Sequence, residues 1–219
     1  MKQLITILSA LLLCTGLSAQ NGFFCTKAGH ENKWTVYDPD GNITGYCVES
    51  LKASEGTLKD GSISFSYDFL DESGKSVING KTLNMMIKMT DGQVHVDLDN
   101  VTKAMKSDDY MCKGDMSSIP ADIKVGDVIP DSSLPITVAG LVKTHNDIKD
   151  RKVTGKETIT TPAGTFNCFV IEEKEYDQGG SKPLNVKSWI ALDIGVIKQK
   201  VSNDKGAPVR SFELTKLVH

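Results

Sequence analysis

The sequence predicts an all-β protein with a minor helical part: a strongly curved antiparallel sheet or incomplete β-barrel carrying one short helix. Three observations predict it. Apolar and polar residues alternate with period two in several stretches along the chain. Turn signals built on Gly, Pro, Asn and Asp separate those stretches at short intervals. Only one segment offers the chemistry of a helix start.

The clearest stretch lies in the C-terminal third. Thr161-Pro162-Ala163-Gly164 reverses the chain, because Pro162 fixes its own φ and Gly164 can take φ > 0. On the return strand Phe166, Cys168 and Val170 point one way and Phe169 and Ile171 the other. Both faces are apolar, so both should be covered and the strand should be central. Trp189, Ile190, Leu192 and Ile194 repeat the two-faced pattern up to Gly195, where a bulge or bend would let the sheet curl.

Towards the N-terminus the reading is of sheets with one wet face. Lys33–Tyr37 and Ile43–Val48 flank the turn Asp38-Pro-Asp-Gly-Asn42. Ile63, Phe65, Tyr67 and Phe69 share one face, with Ser64, Ser66 and Asp68 opposite. After the turn Asp71-Glu-Ser-Gly-Lys75, Leu83, Met85, Ile87 and Met89 alternate, as do Val94, Val96 and Leu98 beyond Asp91-Gly92. This is an up-and-down meander over 22–105, and Asn100 can cap the single short helix, which runs through Met105. Residues 106–135 hold prolines at 120, 130 and 135 and read as a connection. Strands resume over 136–219, for roughly ten in all within one β-rich domain over 20–219.

Residues 1–19 read as a secretory signal peptide: Lys2, an apolar run from Leu4 to Leu13, then Leu17-Ser18-Ala19 before the cut. Leu13 precedes Cys14 where lipoprotein processing needs a small residue, so the expected product is an exported chain with no transmembrane segment. With 25 Lys and Arg against 28 Asp and Glu and no basic stripe, the chain lacks the footprint of a nucleic-acid binder.

Cys25, Cys47, Cys112 and Cys168 remain after cleavage, an even number suited to disulfides in an oxidising compartment, and three pairings are open. The strand pair between Cys25 and Cys47 favours joining those two. Cys112 with Cys168 then follows only by elimination. No close cysteine pair suggests zinc.

Catalytic and cofactor chemistry finds no owner. His95, Asp97 and Asp99 would share a face of a strand, but spacing of about 7 Å between neighbours suits a polar outer face better than a metal site. Asp38–Asn42 has its glycine too early for a calcium loop and reads as a hairpin turn. His30-Glu31 lacks a second zinc-protease histidine, and Glu172, Glu173 and Glu175 read as a solvated strand end. No enzyme, metal or cofactor is therefore expected. What stands out is sulfur: Met85, Met86, Met89, Met105, Met111 and Met116 fall in one segment. Thioethers suit either a ligand cavity or a plain core around the helix.

Several motifs together carry a resemblance. They are the Tyr37-Asp38 turn within Phe23–Leu51, Asp91-Gly92 followed by Val94-His-Val-Asp97, Ile123-Lys-Val-Gly-Asp-Val-Ile-Pro130, Thr160-Thr-Pro-Ala-Gly-Thr-Phe-Asn-Cys168, and Trp189-Ile-Ala with Gly195-Val-Ile-Lys198. Over nearly the whole mature chain these resemble the TapB-like exported bacterial proteins of unknown function. The tail is similar to uncharacterised envelope domains of lipoprotein-carrier-like half-barrel fold. The resemblance implies an incompletely closed barrel in the periplasm or envelope of a Gram-negative bacterium, and implies no catalytic residues. Cys25 stands where that family has a proline, and Met85-Met86 near a family cysteine.

Two functions are therefore expected. In the first, a non-enzymatic envelope protein binds a hydrophobic or lipid-like ligand in the concave face, lined by Met85, Met89, Met105, Phe65 and Trp189. In the second, the barrel is filled by its own side chains and a sheet edge or polar face meets an envelope protein.

Overall fold

The computed structural model describes residues 27–57, 60–77, 80, 82–90, 93–97, 110–116, 119, 122–138, 142–176 and 182–218. These residues form twelve strands: β1 (Glu31–Tyr37), β2 (Ile43–Gly56), β3 (Gly61–Asp71), β4 (Leu83–Thr90), β5 (Gln93–Asp97), β6 (Tyr110–Met116), β7 (Ser132–Val138), β8 (Val142–Thr161), β9 (Gly164–Tyr176), β10 (Leu184–Ala191), β11 (Gly195–Ser202) and β12 (Pro208–Val218). The all-β, antiparallel expectation holds. The helix expected near Asn100–Met105 lies outside the described residues.

Each strand pairs with its neighbour in the chain, and β12 returns to β1 from Glu31↔Val218 to Tyr37↔Ser211, so the ladder closes into a barrel. Closure is uneven. Strands β6 and β7 share only Tyr110↔Val138, Met111↔Thr137 and Cys112↔Ile136. The next residue of β7 is Pro135, which has no N–H to continue the ladder, so a seam opens between the rest of β6 and Ser132–Pro135. The curved sheet is thus a ring with one weak join.

Turn chemistry repeats at one end. In Asp38–Asn42 the Asp38 carboxylate accepts from the backbone N–H groups of Asp40 (2.9 Å) and Asn42 (2.8 Å), and Gly41 takes φ 85°. Asp71 does the same for Ser73 and Lys75, with Gly74 at φ 81°, and Asn203 for Lys205 and Ala207, with Gly206 at φ 82°. Each is a polar side chain replacing a missing backbone partner, followed by a glycine in the left-handed region. The hydrogen bonds hold the Asp38 and Asp71 carboxyls below their ordinary pKa.

Two readings of the sequence need correction. Segment 106–135 is not all connection: β6 lies wholly within it and β7 begins in it. Of its described prolines, Pro130 lies just before β7 and Pro135 at the seam. Gly195, in turn, does not bend a continuous strand. It closes the tight β10–β11 hairpin at φ 106°, beside Asp193 at φ 60°.

The remaining connection packs against β8. Gly126 N–H donates to Val153 O (2.8 Å), Ile129 N–H to Arg151 O (2.9 Å), and Val153 N–H to Asp127 O (2.9 Å). The β8 ladder shifts register around Asp150 (φ 55°) to admit this segment. Ile119, Ile123 and Ile129 thereby enter the core at 3%, 5% and 2% exposure. That core runs through Ile63, Phe65, Tyr67 and Phe69 of β3, Ile87 of β4, Ile171 of β9, Ile190 of β10, Ile197 of β11 and Leu214 of β12.

Candidate functional site

The apolar face expected for β3 is seen, and it decides what fills the barrel, although Ser66, expected on the wet face, is itself 3% exposed. Phe65, Tyr67 and Ile87 are 1%, 0% and 0% exposed. Phe65, expected to line a ligand cavity, is a fully packed core residue. Its cross-strand partner is Met85, but the side chains of Met85 and Met89 and the whole of Met105 lie outside the described residues. Trp189, the other expected lining residue, is buried with its indole N–H donating to Glu157 Oε2 at 2.7 Å and Lys187 Nζ 5.1 Å from its ring. The structure does not bring Phe65 and Trp189 together in one described cavity.

Charged and polar groups sit inside the core, where sequence reasoning placed none. Register pairs Asn32 with Glu49 and Glu49 with Tyr67, so one face carries all three. Tyr67 O–H donates to Glu49 Oε2 and Asn32 Nδ2 to Glu49 Oε1 (3.2 Å). Burial pushes the Glu49 carboxyl up to about 7, only partly offset by those two donors. The enclosed carboxyl lines neither of the two clefts found among the described residues, and it is a stability element with a pH signature. Its folded pKa lies above the unfolded value, so its favourable contribution is full below about 4.5 and is lost as pH rises to about 7. Global stability should fall by roughly 3 kcal/mol across that window from this group alone. Glu49→Gln should flatten the slope in urea titrations at pH 5 and pH 8, leaving the variant more stable than the parent at pH 8.

A second buried set lies around β8, β9 and β12. Arg151 Nε donates to Glu173 Oε2 at 3.0 Å and Arg151 Nη1 to Pro130 O at 3.3 Å. Arg210 Nη2 lies 3.7 Å from Glu175 Oε2. Glu173 and Glu175 are 9% and 0% exposed, so their expected place at a solvated strand end is corrected. They continue the Ile171 face inward, and Glu172 alone points out to Lys187. Desolvation raises the Glu173 pKa against the opposing pull of Arg151.

Cys168 is buried and free, so the disulfide to Cys112 is not seen; Cys25 lies outside the described residues, and of Cys112 only the backbone is described. Cys47 is also buried. Burial, and then the charge of Glu157, pushes the Cys168 thiol up to about 12. Such a thiol is inert. In the native state Cys168 should resist aromatic disulfide reagents at pH 8 and react once the protein is unfolded, as followed by absorbance and peptide mapping.

No group of three or more metal-ligating side chains converges among the described residues, and His95 and Asp97 have undescribed side chains. No helix of the described residues is long and apolar enough to cross a membrane. Among the described residues two open clefts stand out. One, of about 580 Å³, lies between the β8–β9 hairpin and the β10–β11 turn and includes Phe166, Phe169, Leu192 and Ile194. The other, of about 680 Å³, is walled by the β1–β2 and β11–β12 turns and floored by β9 to β12.

Fold and site define a barrel-shaped β protein with a packed, polar-studded core and surface clefts. The chain belongs to the DUF3108-like family, whose model matches residues 27–214. It is similar to an exported protein of Bacteroides fragilis with a YmcC-like fold, at 21% identity and TM-score 0.70, over 90% of this chain and 99% of that one. It is also similar to a lipoprotein of Parabacteroides distasonis at 16% identity and TM-score 0.68, over 90% and 99%. At these identities the likeness is one of fold. No curated protein matches the sequence significantly.

Proposed function

We propose that the protein is a non-catalytic, exported protein of a Gram-negative cell envelope that acts by binding at its outer surface, with the barrel filled by its own side chains. The observation that carries this reading is the packing of the described core, where Ile63, Phe65, Tyr67, Ile87 and Leu214 are no more than 1% exposed. Export and an envelope location are supported by the signal-peptide pattern, by the resemblance to TapB-like exported proteins, and by the export and lipoprotein descriptions of the two structural relatives.

A second reading keeps a hydrophobic or lipid-like ligand. It is favoured by one observation: the strand register sets Met85 directly opposite the buried Phe65. Mass spectrometry of protein purified from its native envelope separates the two. The first reading expects no stoichiometric lipid, together with a defined partner in chemical cross-linking of intact cells. A stoichiometric lipid that disappears from a folded Met85→Gln/Met89→Gln variant would replace it with the second.

A further inference from the structure

Strand β9 outruns its neighbour on one side. Towards β8 it is paired out to Thr161↔Gly164, but towards β10 the ladder stops at Phe169↔Ile190, because β10 ends at Ala191 and turns into β11. Residues 164–168 therefore present an open edge among the described residues. An edge of this kind is a template for any extended chain that reaches it. The cleft of about 580 Å³ lies along this edge. Its β9 wall alternates as a strand must, with Phe166 and Cys168 turned to one face and Asn167 and Phe169 to the other. Across the cleft Leu192 is 45% exposed, and Phe166 is only half-buried, so apolar surface on both sides is left wet.

One segment of the chain itself is placed to reach that edge. Successive strands run up and down, so the start of β1, the β8–β9 hairpin and the β10–β11 turn share one end of the barrel. Asn32, the second residue of β1, donates from Nδ2 to Ile194 O at 3.3 Å, and Ile194 belongs to the wall of the cleft. The described residues begin at Lys27, and the seven before it are Gln20, Asn21, Gly22, Phe23, Phe24, Cys25 and Thr26. Seven extended residues span about 23 Å. Phe23 and Phe24 are the only adjacent aromatic pair in the sequence. Neighbours in an extended chain point to opposite faces, so these two rings suit a cleft that lies along an edge and has an apolar side chain on each face.

We propose that residues 20–26 dock along the open edge of β9, seating Phe23 and Phe24 in the cleft of about 580 Å³, one on each face. Burial of the two rings drives the docking. The strap ties the N-terminal segment to the β8–β9 hairpin and covers an edge that another chain could otherwise extend. It goes beyond the reading of the protein as one that binds at its outer surface and does not depend on it.

Photo-crosslinking of the chain beginning at Gln20, with benzoylphenylalanine in place of Phe24, tests the docking. Peptide mass spectrometry should place the adducts within one molecule, on residues 164–169 or 191–194. Leu192→Asp, a change at an exposed position, should abolish them. Phe23→Ser/Phe24→Ser should speed amide exchange at Thr165 and Asn167 by about tenfold or more, while an unchanged β2–β3 ladder shows that the variant is folded. Adducts elsewhere on the barrel, adducts joining two copies, or exchange at Thr165 and Asn167 that the double variant leaves unaltered would overturn the docking. Irradiation in intact cells adds a further arm: adducts to another envelope protein in place of the internal ones would assign the segment to a partner and overturn the strap, with the packed barrel and its outer-surface binding left standing.

Discussion

Arg151→Ala should destabilise the protein by about 3–5 kcal/mol, the largest effect expected of any single charged residue in it. Arg151 and Glu173 have side chains only 5% and 7% exposed, and their 3.0 Å contact offsets a desolvation cost that neither could bear alone. Removing the guanidinium leaves Glu173 buried with no cation in contact. It also removes the 3.3 Å bond from Arg151 Nη1 to the Pro130 carbonyl at the end of the connection against β8. The loss should depend on pH with a definite sign. The Glu173 pKa is already raised by burial, and removing Arg151 takes away the main influence pulling it down. The variant can escape the penalty by protonating Glu173, so the deficit should be smaller at pH 5 than at pH 8. Urea unfolding of Arg151→Ala at both pH values checks this, and equal losses would show that Glu173 is not the group left exposed to the penalty. Replacing both partners, as Arg151→Met/Glu173→Leu, should recover most of the stability, because an apolar pair of similar volume carries no buried charge.

That pair also shows where the sequence was readable. The period-two faces of β3, the Pro162-Gly164 hairpin and the Asp38 and Asp71 turns are local features, written in residues a few positions apart, and the structure contains them as expected. Strand β6 was missed because Tyr110–Met116 mixes charge, glycine and sulfur without alternation, and its partners β5 and β7 are joined to it by long stretches of chain and not by a recognisable tight turn. The buried carboxylates were missed for a related reason. Alternation correctly separated Glu172 from Glu173 and Glu175, but which face is inside depends on closure of the barrel. One signal was available: Arg151 and Arg210 are the only arginines in a chain that otherwise uses lysine. Arginine is the better cation for a desolvated pair, and the structure sets both against the glutamates of β9. Of the expected ligand residues, Phe65 and Trp189 were legible as apolar and buried. Whether an apolar strand residue lines a void or fills one depends on its opposite wall, which no short stretch of sequence contains.

Trp34→Ala should cost about 4 kcal/mol and Trp34→Phe about 2 kcal/mol, the difference dividing cavity from hydrogen bond. The last pair joining β11 to β12 at this end is Lys198↔Glu213, while β12 continues along β1 as far as Val218. The carbonyls of β11 beyond Lys198 therefore lose the neighbour that would have satisfied them. Trp34, 2% exposed, supplies the missing donor: its indole Nε1–H reaches Val196 O at 2.8 Å, and Asn32 Nδ2 reaches Ile194 O at 3.3 Å. Phenylalanine keeps most of the packing but leaves the Val196 carbonyl buried without a donor, which is the more informative loss. Amide exchange gives the second readout. In Trp34→Phe, protection should fall first in Gly195–Ile197 and the β10–β11 turn, with the β2–β3 ladder unchanged. A uniform fall across all strands would mean that Trp34 acts through core volume alone. Loss confined to β11 would establish that the split between β11 and β12 is held together by side chains reaching across from β1.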